Sequence, residues 1–228
     1  VPAPFLHLWQ ADLAATWPQW PAAEGTLSAA ERARQARLRT AALRQTYGRA
    51  HGFVRAVLGA YLGQPATHLA LTADANGKPI LANGELHFNL SYRAGRAVAA
   101  VSDTYAVGAD VEPLDPLADA AALVQELFAP AEQQVLRAAA PADYWPLFYT
   151  IWTRKEAYAK ALGMGLTLPF GAFSVLGVSV AGPPLLTGPA GASLHSFAAG
   201  PGYVGAVAAL AAGAVAPCFF SYPADLVG

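Results

Sequence analysis

Asp110 and Glu112 stand at i and i+2 in AVGADVE (106–112), a short run of small and β-branched residues that reads as a strand ending at Pro113. Successive side chains of a strand point to opposite faces, so both carboxylates project from one face while Val111 points to the other. Two adjacent anions repel, and unless a cation lies between them one should take up a proton. Oxygen ligands on a short strand suit Mg²⁺, which takes one or two carboxylates and fills its remaining positions with water and phosphate oxygens. The plainer reading of the pair by itself is a strand end with two solvated acids.

WTRKEAYAKALGMGL (152–166) shifts that balance. On a helix Trp152, Glu156 and Lys160 fall at i, i+4 and i+8 and share a face, with Lys155 one residue aside. A surface ion-pair ladder would look the same. However, Arg154, Lys155 and Lys160 are three of the four basic residues in 106–228. A third carboxylate flanked by lysines is what metal-assisted chemistry on a diphosphate needs. In FNLSY (88–92) the Ser91 hydroxyl can donate to a phosphate oxygen. No G-x-S-x-G elbow surrounds it, which argues against a serine hydrolase. The five histidines show no ligand spacing, so zinc is not expected. Lys78, beside the Asn76-Gly77 turn, reads as an exposed cation on a hairpin.

The elements that must position these groups follow from pattern. Residues 28–62 read as helix, with Ser28 as N-cap, Glu31 in capping-box register and a break expected near Gly48 or Gly52. Residues 69–82 read as two strands around Asn76-Gly77, and 86–92 and 96–102 as two more around Ala94-Gly95. Helix dominates from Asp119 to Gly163, with breaks expected near Pro141 and Pro146 and a C-cap at Gly163. Strands are expected again at 172–180, 194–199 and 203–210. Helices and strands cluster without strict alternation, which gives an α+β fold.

Composition narrows the class. Charged residues make up 13% and low complexity is confined to alanine patches, so the chain should fold, in one or two domains. The lone Cys218 leaves no intrachain disulfide and favours a reducing, cytoplasmic setting. A net charge of −1 argues against nucleic acid as partner. The start has no basic, apolar leader pattern. Tyr203–Phe220 lacks charge but carries Gly213 and Pro217, which fits two strands and a turn better than a membrane span. Residues 1–105 hold ten Lys and Arg against six Asp and Glu, whereas 106–228 hold four against nine. Seven arginines lie within 32–55, either a solvated face or an anion site. LHFNLSYRAGRAVAAVS (86–102) is echoed by LHSFAAGPGYVGAVAAL (194–210), so two similar half-domains, 1–105 and 106–228, with a cleft between them are expected.

GKPIL (77–81), FNLSY (88–92), VGADVE (107–112) and WTRKEAYAKALGMGL (152–166), in this order, resemble the 4′-phosphopantetheinyl transferases of the larger, surfactin-type (Sfp-type) class. The resemblance is strongest over 77–175, including Phe128, Glu132 and FSV (173–175), looser at 28–58, and weak at both ends apart from GYVGAVAAL (202–210). It implies a pseudo-dimer of two α+β halves, acting as a monomer, with coenzyme A in the cleft. It further implies Mg²⁺-dependent transfer of the phosphopantetheine arm to a serine of an apo acyl carrier or peptidyl carrier protein, a holo-carrier synthase activity that releases 3′,5′-ADP. By resemblance Asp110, Glu112 and Glu156 would hold Mg²⁺, and Glu156 would also take the serine proton. Lys160 would stabilise the charge developing on the diphosphate. Lys155, Lys78 and Ser91 would grip phosphates, and Arg34 or Arg37 would reach the 3′-phosphate. Two positions depart from the pattern: Tyr92 stands where a histidine is usual, and Glu31 where a lysine is usual. Another magnesium-dependent phosphotransferase or pyrophosphatase and a non-enzymatic interaction module that has kept the fold are the alternatives.

Overall fold

A computed structural model describes residues 3–179, 185–187 and 191–226. Two sheets form its centre. In the first, β1 (Leu6–Asp12) pairs antiparallel with β5 (Arg96–Ser102), which pairs antiparallel with β4 (His87–Arg93). Between β1 and β4 the chain forms α1 (Trp20–Glu24), α2 (Ala29–Ala36), α3 (Ala41–Leu62) and the small hairpin β2 (Leu71–Ala73) and β3 (Pro79–Leu81). In the second sheet, β6 (Val107–Pro113) pairs antiparallel with β10 (Tyr203–Leu210), and β10 with β9 (Ala192–Ala198). The short β7 (Val178–Ser179) and β8 (Leu185–Thr187) extend it beyond β9. The helices α4 (Ala120–Leu127), α5 (Pro130–Ala138) and α6 (Tyr144–Leu162) come between β6 and β7.

The same connection is thus made twice: a strand, a long helix, then a hairpin whose second strand returns to the first. Residues alternate along each strand between two cores. Trp9, Ala97, Ala99 and Val101 pack on Phe53, Val54, Val57 and Leu58 of α3, and Leu194, Ala206 and Ala208 pack on Phe148 and Ile151 of α6. The opposite faces meet each other, Leu6, Leu8, Val98 and Ala100 against Val107, Ala109, Val111 and Val207. This alternation explains why the strands read as nearly continuous apolar runs: both faces are covered. The expected α+β class holds. The end of the chain crosses the division expected at 105/106, because β11 (Cys218–Ser221) joins the first sheet, parallel to β1.

Several elements differ from expectation for definite reasons. The break in 28–62 falls at 37–40, where Thr40 caps α3 by accepting from the Leu43 N–H at 3.1 Å. Gly48 and Gly52 instead lie inside α3, at points of close approach; a Cβ on Gly52 would meet the Ala23 carbonyl at 2.6 Å. Pro146 lies in the first turn of α6, where no N–H is needed, and breaks nothing. Of the strand expected at 172–180, residues 172–177 form none, the Phe173 carbonyl and Val175 N–H turning instead to the side chains of Lys155 and Glu132. Residue 180 lies outside the described residues. The sequence pattern predicts no strand where β1 lies. No helix among the described residues is long and apolar enough to cross a membrane.

Helix α6 lies directly on β6. The face of β6 that bears Asp110 and Glu112 begins with Gly108, and a Cβ there would sit 2.0 Å from the Ala157 carbonyl oxygen and 2.4 Å from the Ala161 nitrogen. These are backbone atoms in a helix and cannot yield cheaply. Gly108→Ala should therefore destabilise the fold by about 3 kcal/mol or more, measured as a lowered denaturant midpoint. A midpoint equal to that of the parent would show that α6 does not rest on Gly108.

Candidate active site

Three elements converge on Asp110. Its Oδ1 accepts from the Lys160 ammonium of α6 at 2.6 Å and from the Ser91 hydroxyl of β4 at 2.9 Å. Lys160 also donates to the Ala109 carbonyl at 3.2 Å and reaches Ser91 Oγ at 3.3 Å. Asn89 locks β4 against β6, its Oδ1 accepting from the Ala109 N–H at 2.8 Å. Alternation along β4 explains the division of roles. Asn89 and Ser91 face β6, while Phe88, Leu90 and Tyr92 pack toward α3. Sequence reasoning passes over Asn89, although its i, i+2 spacing from Ser91 on a strand carries the signal.

The carboxylates exceed the cations that face them. Burial and then the neighbouring Asp110 push Glu112 up to about 7, with Arg93 and Lys160 opposing. Arg93 is the exposed partner, 3.5 Å from Glu112. Burial also raises Glu156, which Lys160 pulls down and Asp110 pushes up. Asp110 Oδ2 is buried and has no hydrogen-bond partner. An orphaned carboxylate oxygen beside two acids held above their ordinary range is a donor set that fits a hard divalent cation. As placed, no three acidic, histidine or cysteine side chains among the described residues are gathered closely enough to enclose one. The Lys160 ammonium supplies the positive charge at Asp110 Oδ1.

The other expected site residues are not all here. Lys155 is a correction. Its ammonium is fully buried, 2.9 Å from the equally buried Glu132, and donates to the carbonyls of Phe170 and Phe173 at 2.7 Å each. Glu132 in turn accepts from the Ala129 and Val175 N–H groups at 2.8 and 2.7 Å. The pair ties α5, α6 and the 170–175 segment together, and no donor is left for a phosphate. Lys78 is not the exposed cation expected. It is partly buried, and its ammonium donates to the carbonyls of Val107 at 2.9 Å and Lys160 at 2.6 Å.

Arg34 is exposed on α2 and lines a cavity of about 240 Å³ with Tyr47, His51, Gly77, Pro79, Phe88 and Leu90. Arg37, at the C-cap of α2, is exposed and does not line that cavity. Tyr92 stands edge-on to His51 with ring centroids 6.0 Å apart, and burial raises its hydroxyl while Arg34 opposes. Tyr47 and His51 stack at 3.9 Å, a pairing that their i, i+4 spacing on a helix allows. Burial works against the charge of Glu31, yet hydrogen bonds from His51 and Ser28, with Arg55 beside it, hold it at about 2. Glu31 is thus an ionised anchor between α2 and α3, paired with Arg55 at 2.8 Å.

Three carboxylates, a lysine and a serine on the ends of two strands and a helix suit displacement at a phosphorus centre. The profile of the 4′-phosphopantetheinyl transferase superfamily matches residues 106–208. The chain is 35% identical over 165 residues to the 4′-phosphopantetheinyl transferase HetI of Nostoc sp. strain PCC 7120, covering 71% of this chain and 70% of that protein. It is 29% identical over 123 residues to the transferase Sfp of Bacillus subtilis, 54% of each chain. With AcpT of Salmonella typhimurium it shares 35% over 88 residues, 38% of this chain and 46% of that one. The chain belongs to the 4′-phosphopantetheinyl transferase superfamily.

Removing one partner of a fully buried ion pair leaves the other charge uncompensated, which costs about 3–5 kcal/mol. Lys155→Met should lower unfolding stability by that order, while a residue that touched phosphate would instead change ligand affinity with the midpoint intact. Glu112 gives a pH signature in chelator. Its folded value, about 7, exceeds the ordinary carboxylate value, so the proton it holds favours the fold at low pH. That contribution is present below the unfolded value and fades as pH rises from about 4.5 to about 7. Relative to Glu112→Gln, the parent should therefore lose up to ~3 kcal/mol over this range; parallel stability curves would remove the assignment.

Proposed function

We propose that this chain transfers the 4′-phosphopantetheine arm of coenzyme A to a serine hydroxyl of an apo acyl carrier or peptidyl carrier protein, with Mg²⁺, and releases 3′,5′-ADP. The observation that carries the reading is the Ser91–Asp110–Lys160 network with Glu112 and Glu156 beside it, in a chain of this superfamily. Asp110, Glu112 and Glu156 would hold the magnesium. When bound, the ion supplies Lewis-acid charge at the diphosphate oxygens.

Glu156 takes the proton of the carrier serine, and its burial-raised basicity suits that task. The serine oxygen then bonds to the phosphorus on the pantetheine side of the diphosphate, and the bond from that phosphorus to the bridging oxygen of the ADP portion breaks. Lys160 faces the negative charge that collects on the bridging oxygen as the 3′,5′-ADP portion departs. Ser91, whose one O–H donates to Asp110 Oδ1, holds that carboxylate in place and is not the phosphate donor that the resemblance implies. Arg34, at the rim of its cavity, meets the 3′-phosphate; Arg37, outside that cavity, is the weaker choice. In this reading residues 1–105 contact the outer phosphates and 106–228 carry the carboxylates, in a single chain that needs no second copy.

The test is incubation with coenzyme A, Mg²⁺ and a panel of apo carrier proteins from fatty-acid, polyketide and peptide synthesis. Mass spectrometry should show a carrier gain equal to the phosphopantetheine arm, abolished by chelator. No gain on any carrier would sink the proposal. Glu156→Ala should slow turnover by on the order of 10²–10⁴-fold, and undiminished turnover would remove Glu156 as the base.

A further inference from the structure

Lys78 is the one side chain whose ammonium joins both elements of the site without touching the carboxylates, as far as the described residues show. Its two acceptors are the carbonyl of Val107, which opens β6, and the carbonyl of Lys160 itself, at the last turn of α6. Between those acceptors lie Gly108 and the close approach of α6, and beyond them Asp110 and the Lys160 ammonium, 2.6 Å apart. One cation thus spans the strand that carries the acid and the helix that carries the base. The last carbonyls of a helix lack intrahelical partners, so a lysine there gains both a hydrogen bond and the favourable end of the helix dipole. The Gly163 N–H shares the Lys160 carbonyl at 3.2 Å.

The element that delivers Lys78 is stiff. In the turn between β2 and β3, Asp74 Oδ1 accepts from the N–H groups of Asn76 and Lys78 at 2.9 Å each, and the Asp74 N–H donates to the Lys78 carbonyl at 2.9 Å. Gly77 supplies the positive φ of 85° that closes the turn. The same hairpin walls the cavity that Arg34 lines, through Thr72, Ala73 and Pro79. Burial lowers the Lys78 ammonium, with Asp74 opposing, a cost accepted for two carbonyl bonds.

We propose that Lys78 is a positioning residue: it clamps β6 to the end of α6 and so fixes the spacing of Asp110 and Lys160, acting on turnover through that pair. It is not a contact on which coenzyme A affinity depends. The inference rests on the transferase reading for its kinetic test alone.

The experiment compares Lys78→Met and Lys78→Arg with the parent by three measurements: kcat with saturating carrier, Kd for coenzyme A by calorimetry, and amide exchange. Lys78→Met should lower kcat by on the order of 100-fold while Kd stays within about twofold. Lys78→Arg, which keeps two donors at the carbonyls, should retain a kcat between those of the parent and the methionine variant, again at unchanged Kd. A Kd weakened by about tenfold at undiminished kcat, in either variant, would overturn the proposal and make Lys78 a phosphate contact. Amide exchange does not depend on turnover. Lys78→Met should speed exchange at Gly163 and Met164 and along 107–111 but not along α3, and unchanged exchange overturns the clamp. A parent protein that transfers nothing would defeat the transferase reading, and exchange alone would then decide on Lys78.

Discussion

Helix α6 can bring Lys160 onto Asp110 only because nothing stands at Gly108. The helix backbone occupies the space where any side chain at that position would lie. The next two residues on the same face of β6 are the acids, so one packing constraint sets how far the lysine stands from them. Hydrogen bonds from the first sheet complete the arrangement: Ser91 and Asn89 reach across from β4 to Asp110 and Ala109. The glycine, the aspartate and the glutamate of G-x-D-x-E are thus parts of one geometry. The first admits the helix and the other two use what it brings.

Within the motif WTRKEAYAKALGMGL, chemistry and architecture alternate around the helix. Glu156 and Lys160 look toward β6. Lys155, one residue from Glu156, points away into the core, where Glu132 and two carbonyls satisfy its ammonium. Arg154 is also turned inward, donating to Ser196 Oγ at 2.7 Å, and burial lowers it to about 10. Two of the three basic residues that suggested a phosphate grip therefore hold the second half together. A buried pair with every proton matched contributes little net stability compared with an apolar substitute, but it specifies which partners meet. Here it fixes the irregular segment 170–175, whose backbone makes no ladder of its own.

Much of this was legible in the residues. The two hairpins, the strand with its carboxylates and the Gly163 C-cap follow from period-two alternation and turn chemistry, and the α+β class follows from their clustering. What sequence could not supply was direction. Lys155 and Glu156 are adjacent, and periodicity places them about 100° apart without saying which side the core will claim. Nor does composition reveal that the last strand returns to the first sheet, since the pairing of Cys218–Ser221 with β1 is a contact between the two ends of the chain. Gly48 and Gly52 misled for a related reason. Glycine in a helix signals a break when considered locally, and a close tertiary contact when the neighbour is known.

The imbalance of charge between the two parts of the chain takes a local form at the site. Asp110 is buried, Glu112 and Glu156 are partly buried near it, and the cations facing them are Lys160 and the exposed Arg93. A fold selected for stability alone would have replaced such acids or paired each of them, as it paired Glu132 with Lys155 and Glu31 with Arg55. The contrast is internal to one molecule. Where acids serve the architecture they are matched donor for donor, and Glu31 is held at about 2. Beside Asp110 the match is left incomplete, with Glu112 held at about 7 and an aspartate oxygen left without a donor. Local rules are broken at functional sites because the missing partner comes from outside the chain. A ligand that brings positive charge into that gap would bind to groups already oriented by Gly108, Ser91 and Lys160, and would relieve a repulsion that the folded chain otherwise carries.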